Sequence, residues 1–370
     1  MKRYVVLIVL LAVVAVVGIA AWIIGLTGGF PMFRFHFNFN ARTFDIYTYP
    51  DSDLYSKGNA ELSAQGIEKI DVNWIADRVT IEKHSGQMIS VSETKSEELN
   101  EDEKLCYLVK DGVLYIKFCS PKKARYWELN KEKRLTVRIP ESMGALKECR
   151  VDAVSADMLI EEIAAEEFKL ESASGDIRLS AENLPDGAGA ISGIYCKSSS
   201  GSIKVAGNAQ RVNLQSVSGS IAFAGTAQTA ALSTTSGSIG FAGNANKLDA
   251  GSVSGTIKAA GQFSKVNCGA TSGSIILAVD AEEVKCGSTS GDVTLEFGVC
   301  PSSVDAYTTS GQIRLTVPGD KGFTAYYHVS SGRFNSELPV TITDNKAVYG
   351  DGSAVFNLSS TSGNISIKQK

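Results

Sequence analysis

The chain has 370 residues, with 36 Lys+Arg against 40 Asp+Glu and a formal net charge of −4. That balance leaves no basic footprint for nucleic acid, and 44% apolar against 21% charged residues excludes a globally disordered chain. Three histidines leave little material for a His-based metal or catalytic centre, whereas 35 glycines against 8 prolines point to repetitive β structure.

Residues 4–26 carry no charge and run through Val5, Val14, Trp22 and Ile24. A helix of that length reaches roughly 34 Å, enough for a hydrocarbon core of about 30 Å. Lys2 and Arg3 precede it, so residues 1–3 are expected in the cytoplasm and everything after the helix outside. A cleaved signal peptide is the rival, because Gly18-Ile19-Ala20 is a small-x-small site, but the apolar run continues past it. The expectation is a single-pass membrane anchor with an extracytoplasmic C-terminal region.

Residues 27–65 read as a juxtamembrane strand and linker, with Phe33, Phe35, Phe37 and Phe39 alternating with polar residues. An N-terminal β region is expected over residues 66–155. Ile70-Asp71-Val72-Asn73-Trp74 and Leu135-Thr136-Val137-Arg138-Ile139 alternate as strands. Asp111-Gly112 between two apolar runs predicts a hairpin, since both turn residues tolerate positive φ. The charged loops 93–104 and 121–133 interrupt this region.

From residue 156 to 370 the chain is periodic. Ser-Gly-(Ser/Thr/Asp)-(Ile/Val) places its glycine at 175, 201, 219, 237, 255, 273 and 291, and the five intervals from Gly201 to Gly291 are 18 residues each. With that glycine as position 1, position 3 holds Ile203, Ile221, Ile239, Ile257 and Ile275. Positions 5, 12 and 14 are also apolar, and Gly207, Gly225, Gly243 and Gly261 mark a second corner at position 7. Such a unit cannot bury its own apolar face, so copies must stack. The fold class is therefore all-β, a β-solenoid of about 18-residue coils with two short strands per coil and a C-terminal cap. The Ser-Gly corner is expected to use glycine for unusual φ and a hydroxyl to satisfy a turn amide.

Seven cysteines, at 106, 119, 149, 196, 268, 286 and 300, form no CxxC and read as small buried apolar residues. Cys268 and Cys286 both occupy position 14, so they should be neighbours on successive coils. A G-x-S-x-G nucleophile turn is absent, because Gly251-Ser252-Val253-Ser254-Gly255 has Val at its centre. A carbohydrate-active enzyme would need convergent carboxylates. Residues 201–290 offer only Asp249, Asp280, Glu282 and Glu283, and none stacks on another acid. Glu161, Glu162, Glu166 and Glu167 could suggest a cation site but read as solvated turns. A hexapeptide acyltransferase solenoid does not fit the 3, 5, 12, 14 pattern.

These motifs resemble the bacterial membrane-anchored "putative adhesin" β-strand-repeat family. The resemblance runs from about Gly66 to the C-terminus, on the strands quoted above and the serial Ser-Gly-x-Ile turns. Ala76-Asp77-Arg78-Val79 and Ala156 depart from the usual Ser-Gly corner. The resemblance implies a cell-envelope protein, sometimes linked to envelope-stress systems, and carries over no catalytic residue, cofactor or metal. The expected role is a surface scaffold or adhesin-like binding module without catalysis, with an envelope protein or cell-wall polymer as partner and no nucleic acid. A carbohydrate-active β-helix enzyme and an envelope-stress sensor are the alternatives. The repeat face is expected to be a flat polar strip without a pocket, leaving specificity to the two charged loops.

Overall fold

The computed structural model describes residues 49, 51–95, 98–121, 133–184 and 190–370. The anchor expected at 4–26, the aromatic strand at 33–39 and most of the loop at 121–133 lie outside the described residues. The described residues belong to one compact unit, residues 40–370, built from strands with a short 3-10 turn at Ser52–Leu54.

The chain winds into two parallel sheets packed face to face. In the first sheet Ile177–Ala181, Ile203–Ala206 and the start of Ile221–Thr234 stack in register, so Ile177, Ile203 and Ile221 lie one above another. In the second sheet Glu167–Ser172, Ile191–Ser198 and Ala209–Ser216 stack likewise. Successive coils pair at an offset of 18 residues, Ile221 on Ile239, Ile239 on Ile257 and Ile257 on Ile275. The inward positions 3, 5, 12 and 14 are buried throughout.

Two short strands per coil is too simple for the centre of the stack. Ile221–Thr234, Ile239–Ser252, Ile257–Ala270 and Ile275–Ser288 are each one continuous 14-residue strand that passes from the first sheet into the second. The bend falls at position 7, where Gly225, Gly243 and Gly261 have φ of +147°, +140° and +137°. A β-branched or bulky residue there would be strained.

The sharp Ser-Gly corner works differently from its expected mechanism. Gly219, Gly237 and Gly255 have no positive φ; a Cβ on each would overlap the carbonyl oxygen of the same glycine one coil earlier. Backbone crowding selects glycine. The hydroxyl that satisfies the turn comes from position 16, three residues before the glycine. Ser216 Oγ accepts from Gly219 N at 2.8 Å and donates to Gly201 O at 3.1 Å. Thr234 and Ser252 repeat both bonds, and all three are buried. The serine directly before the glycine, Ser218 for example, is exposed.

The core conserves volume from coil to coil. Phe241 at position 5 is followed on its coil by Ala245 at position 9, whereas the next coil has Ala259 and then Phe263. The Phe241 and Phe263 rings meet at 5.4 Å, and Phe223 meets Phe241 at 5.1 Å. Close packing tolerates such volume-conserving exchanges.

Both ends of the stack break chain order. Lys69–Trp74 lies between Val113–Lys117 and Glu148–Ala153, so the second coil in sequence is the outermost in space. Likewise Ala354–Ser362 inserts between Ser303–Ser310 and Phe323–Ser331. Lys69–Trp74, Arg78–His84, Val113–Lys117 and Arg134–Pro140 join the same parallel stack. Ala156 replaces a corner glycine, is fully buried, and keeps the stack through the Asp157 N to Asp77 O bond at 2.9 Å. Antiparallel strands close the outer rungs. Met88–Thr94 covers Arg134–Pro140, and Cys106–Lys110 covers Val113–Lys117 through the Asp111-Gly112 turn, with φ of +52° and +73°. At the far end Lys346–Tyr349 covers Phe323–Ser331. These antiparallel strands cover part of the edge on which a parallel stack would otherwise aggregate. Under the N-terminal cap, Trp74 Nε1 donates to Lys133 O at 2.8 Å. The buried Lys133 ammonium pairs with Glu93 at 2.7 Å.

Candidate functional site

The outward face of the first sheet is formed by positions 4 and 6. Along the stack, position 4 runs Arg178, Lys204, Ala222, Gly240, Lys258 and Ile276, because those residues are register partners. Position 6 runs Ser180, Ala206, Ala224, Ala242, Ala260 and Ala278 over the same rungs. The middle rungs thus carry almost no side chain, whereas the rungs on either side carry long ones. That height difference makes a groove of about 760 Å³ where a flat strip was expected. Its floor is Ala222, Ala224, Gly240 and Ala242.

Three cations, Arg178, Lys204 and Lys258, line the groove, with Glu161 at one end. Lys204 and Lys258 stand three rungs apart, about 14 Å at the usual strand spacing of about 4.8 Å. Ile276 lies at the other end and is 40% exposed. The site can thus take an elongated ligand lying along the stack, with apolar contact in the middle and anionic groups at the sides. Among the described residues its lining holds one carboxylate, Glu161, whose register partner is the hydroxyl residue Ser180.

The acids singled out in the sequence are placed apart. Asp249 lies on the outer face of the second sheet, held by Lys247 at 2.6 Å and by Asn267 at 2.8 Å. Glu283 pairs with Lys265 at 2.6 Å. Asp280 caps a corner of the next coil, accepting from Gly298 N at 2.7 Å and Val299 N at 2.9 Å. Glu167 pairs with Lys169 at 2.5 Å, while Glu161 faces the groove. Among the described residues no three His, Cys, Asp or Glu side chains converge as a metal site. No described helix is long and apolar enough to cross a membrane.

Cys268 and Cys286 are register partners, fully buried and free. Burial pushes the Cys268 thiol up to about 12. The same desolvation raises Cys286 well above its ordinary value. The thiolate, which is the nucleophile, is therefore suppressed.

The run Lys204, Ala222, Gly240, Lys258, Ile276 at position 4 is legible in the sequence and was expected to be a flat strip. What that expectation left out is the difference in side-chain height between the Ala/Gly rungs and the Lys rungs beside them.

No curated protein matches the chain. Among solved structures, a "putative adhesin" from Parabacteroides distasonis ATCC 8503 is 12% identical, with 84% of this chain and 97% of that one covered and a TM-score of 0.35. A "putative adhesin" from Bacteroides fragilis NCTC 9343 is 16% identical, with 85% and 97% covered and a TM-score of 0.30. A "putative cell adhesion protein" from Clostridium sporogenes ATCC 15579 is 13% identical, with 85% and 100% covered and a TM-score of 0.23. The family model described as Toastrack DUF4097 matches residues 67–299 and 279–368, which is most of the chain and all of the stacked coils. The chain belongs to the Toastrack DUF4097 family.

Proposed function

We propose that this chain is a non-catalytic, adhesin-like binding module, held at the cell envelope by residues 4–26 with its solenoid outside. It captures an extended anionic polymer of the envelope in the groove of the first sheet. The single observation that carries this reading is the line of Arg178, Lys204 and Lys258 beside a floor of Ala and Gly. Cations on either side of an apolar floor, about 14 Å apart for Lys204 and Lys258, suit an extended ligand whose anionic groups are similarly separated. Exposed charge contacts are screened by salt, so capture should weaken steeply as ionic strength rises. The uncharged run at 4–26 supports the anchor.

The test is retention of residues 40–370 on an anionic cell-wall polymer fraction. The double variant Lys204→Glu/Lys258→Glu should lose at least tenfold in retention while keeping its melting temperature. Retention unchanged by the double variant would discard the groove as the site. The anchor is tested separately: the full chain should stay with membranes after carbonate washing. Release of a chain beginning near Ala21 or Trp22 would remove that part of the reading.

A further inference from the structure

The outer face of the second sheet carries a polar trio, two of its members buried, at its first three rungs. Lys117 is the register partner of Asn73, and Asn73 is the register partner of Asp152. Lys117 Nζ donates to Asn73 Oδ1. Asn73 Nδ2 donates to Asp152 Oδ2 at 3.4 Å. Asp71 Oδ1 stands 3.8 Å from the same ammonium. Lys117 and Asp152 are only 8% and 7% exposed, unusual for ionisable residues on a solvent-side face. The Tyr115 and Tyr49 rings lie 5.7 and 5.9 Å from Lys117 Nζ, and Tyr55 packs on Tyr49 at 4.7 Å.

The same three residue types recur on this face farther along the stack, arranged differently. There Lys247 donates to Asp249, not to an amide, and its side chain is 45% exposed. At the N-terminal rungs the lysine instead meets the asparagine side-chain amide, with a carboxyl on the amide's nitrogen. Burial lowers Lys117 from its ordinary value, favouring the neutral amine, although Asp71 and Asp152 oppose that shift. Burial also pushes Asp152 up to about 6, with Asp71 and Glu171 adding to the rise and Arg150 and Lys117 opposing it. A neutral amine is a nucleophile and a protonated carboxyl a general acid.

We propose that Lys117 and Asn73 become joined by an intramolecular isopeptide bond, with Asp152 as the proton-transfer group. The Lys117 Nζ lone pair attacks Asn73 Cγ, forming the new C–N bond. Asp152 delivers a proton to Nδ2, the Cγ–Nδ2 bond breaks, and ammonia leaves. The proton shed by Nζ restores Asp152. One amine and one primary amide become one secondary amide and one ammonia, with no oxidant, metal or cofactor. Fixing the groups side by side in a folded sheet supplies the proximity such a reaction needs. The bond would tie the outermost coil to the one beneath it, where chain order is inverted and a local slip would otherwise open the stack.

Intact-mass spectrometry of the purified full chain tests this directly. The expected mass is one ammonia below that of the sequence, and proteolysis should yield a branched peptide containing both Lys117 and Asn73. Lys117→Arg and Asp152→Ala should each show their full sequence mass while remaining folded by circular dichroism. A wild-type chain at full sequence mass, with both residues in separate linear peptides, overturns the proposal. So does an ammonia loss that persists in Lys117→Arg, because that loss would come from another amide.

Discussion

Gly237 sits directly against Gly219, one coil earlier, so closely that a Cβ on Gly237 would overlap the Gly219 carbonyl oxygen. The contact is with backbone, which cannot swing aside as a flexible side chain could. Gly237→Ala should therefore cost about 3 kcal/mol through overpacking. Gly144, where nothing lies within 4 Å of an added Cβ, is the control. Gly144→Ala should be neutral within about 0.5 kcal/mol. Urea unfolding of the two variants decides between crowding and a general intolerance of substitution.

The buried hydroxyl at position 16 makes a second prediction. Thr234 Oγ1 accepts from Gly237 N at 3.1 Å and donates to Gly219 O at 3.0 Å. Thr234→Val keeps the shape but leaves both backbone groups without that partner, at a cost of about 1–3 kcal/mol. Ala270 occupies the same position on its own coil and has no hydroxyl to offer. Ala270→Ser should thus stabilise by about 0.5–1.5 kcal/mol, read as a rise in the denaturation midpoint.

The coil from Gly237 shows how far a sequence can be read. Ile239 and Phe241 were legible as core from spacing alone, and their burial follows. The sequence marks glycines 237 and 243 as two corners expected to work alike and gives Gly240 no role, yet each is there for a different reason. Gly237 answers to a neighbouring backbone, Gly240 lies on an open surface, and only Gly243 needs its positive φ. The first two depend on which residue lies on the next rung, a fact spread over 18 positions. The end inversions were illegible for a related reason. Nothing local in Lys69–Trp74 says that Val113–Lys117 will pair on one side and Glu148–Ala153 on the other. The Lys117–Asn73 contact was illegible because it arises from that inverted lateral pairing, whereas the residues of the groove were legible at position 4 and only its depth was not.

Asp152 should leave a signature in the pH dependence of stability. Its carboxyl is pushed from 3.8 up to about 6, chiefly by burial. Between those values the folded state holds a proton that the unfolded chain has released. Stability is therefore greatest below the lower value and falls as pH rises through the window. The loss should be on the order of 2–3 kcal/mol by pH 7. Asp152→Asn should remove that slope, so the difference between wild type and variant should grow from pH 4 to 7. Parallel curves across that range would show that Asp152 is not held as an acid by its surroundings.

Cys149, Cys196, Cys268 and Cys286 are fully buried within the sheets, and desolvation raises all four thiols. None should react with iodoacetamide in the native state over hours, whereas all four should be labelled at once in denaturant. Counting labelled peptides by mass spectrometry checks this. Native labelling of Cys268 and Cys286 together would mean that neighbouring coils separate in solution.

The groove makes a prediction that its chemistry and its position share. Gly240 projects outward at position 4, has no positive φ, and an added Cβ would meet only the Ile221 carbonyl oxygen at 4.0 Å. An aromatic ring at this site would fill the floor between Lys204 and Lys258 without entering the core. Gly240→Phe should leave stability unchanged within about 0.5 kcal/mol, because aromatic residues suit a pleated surface. Retention on an anionic cell-wall polymer should nevertheless fall at least tenfold, and raising salt should not restore it, since the obstruction is steric. Gly243→Phe, three residues farther on, is the contrast: its φ of +140° makes any side chain costly, so that variant should unfold. If Gly240→Phe folded and still captured the polymer at full strength, the ligand would have to lie elsewhere on the solenoid, and the cations along position 4 would be no more than a solvated row.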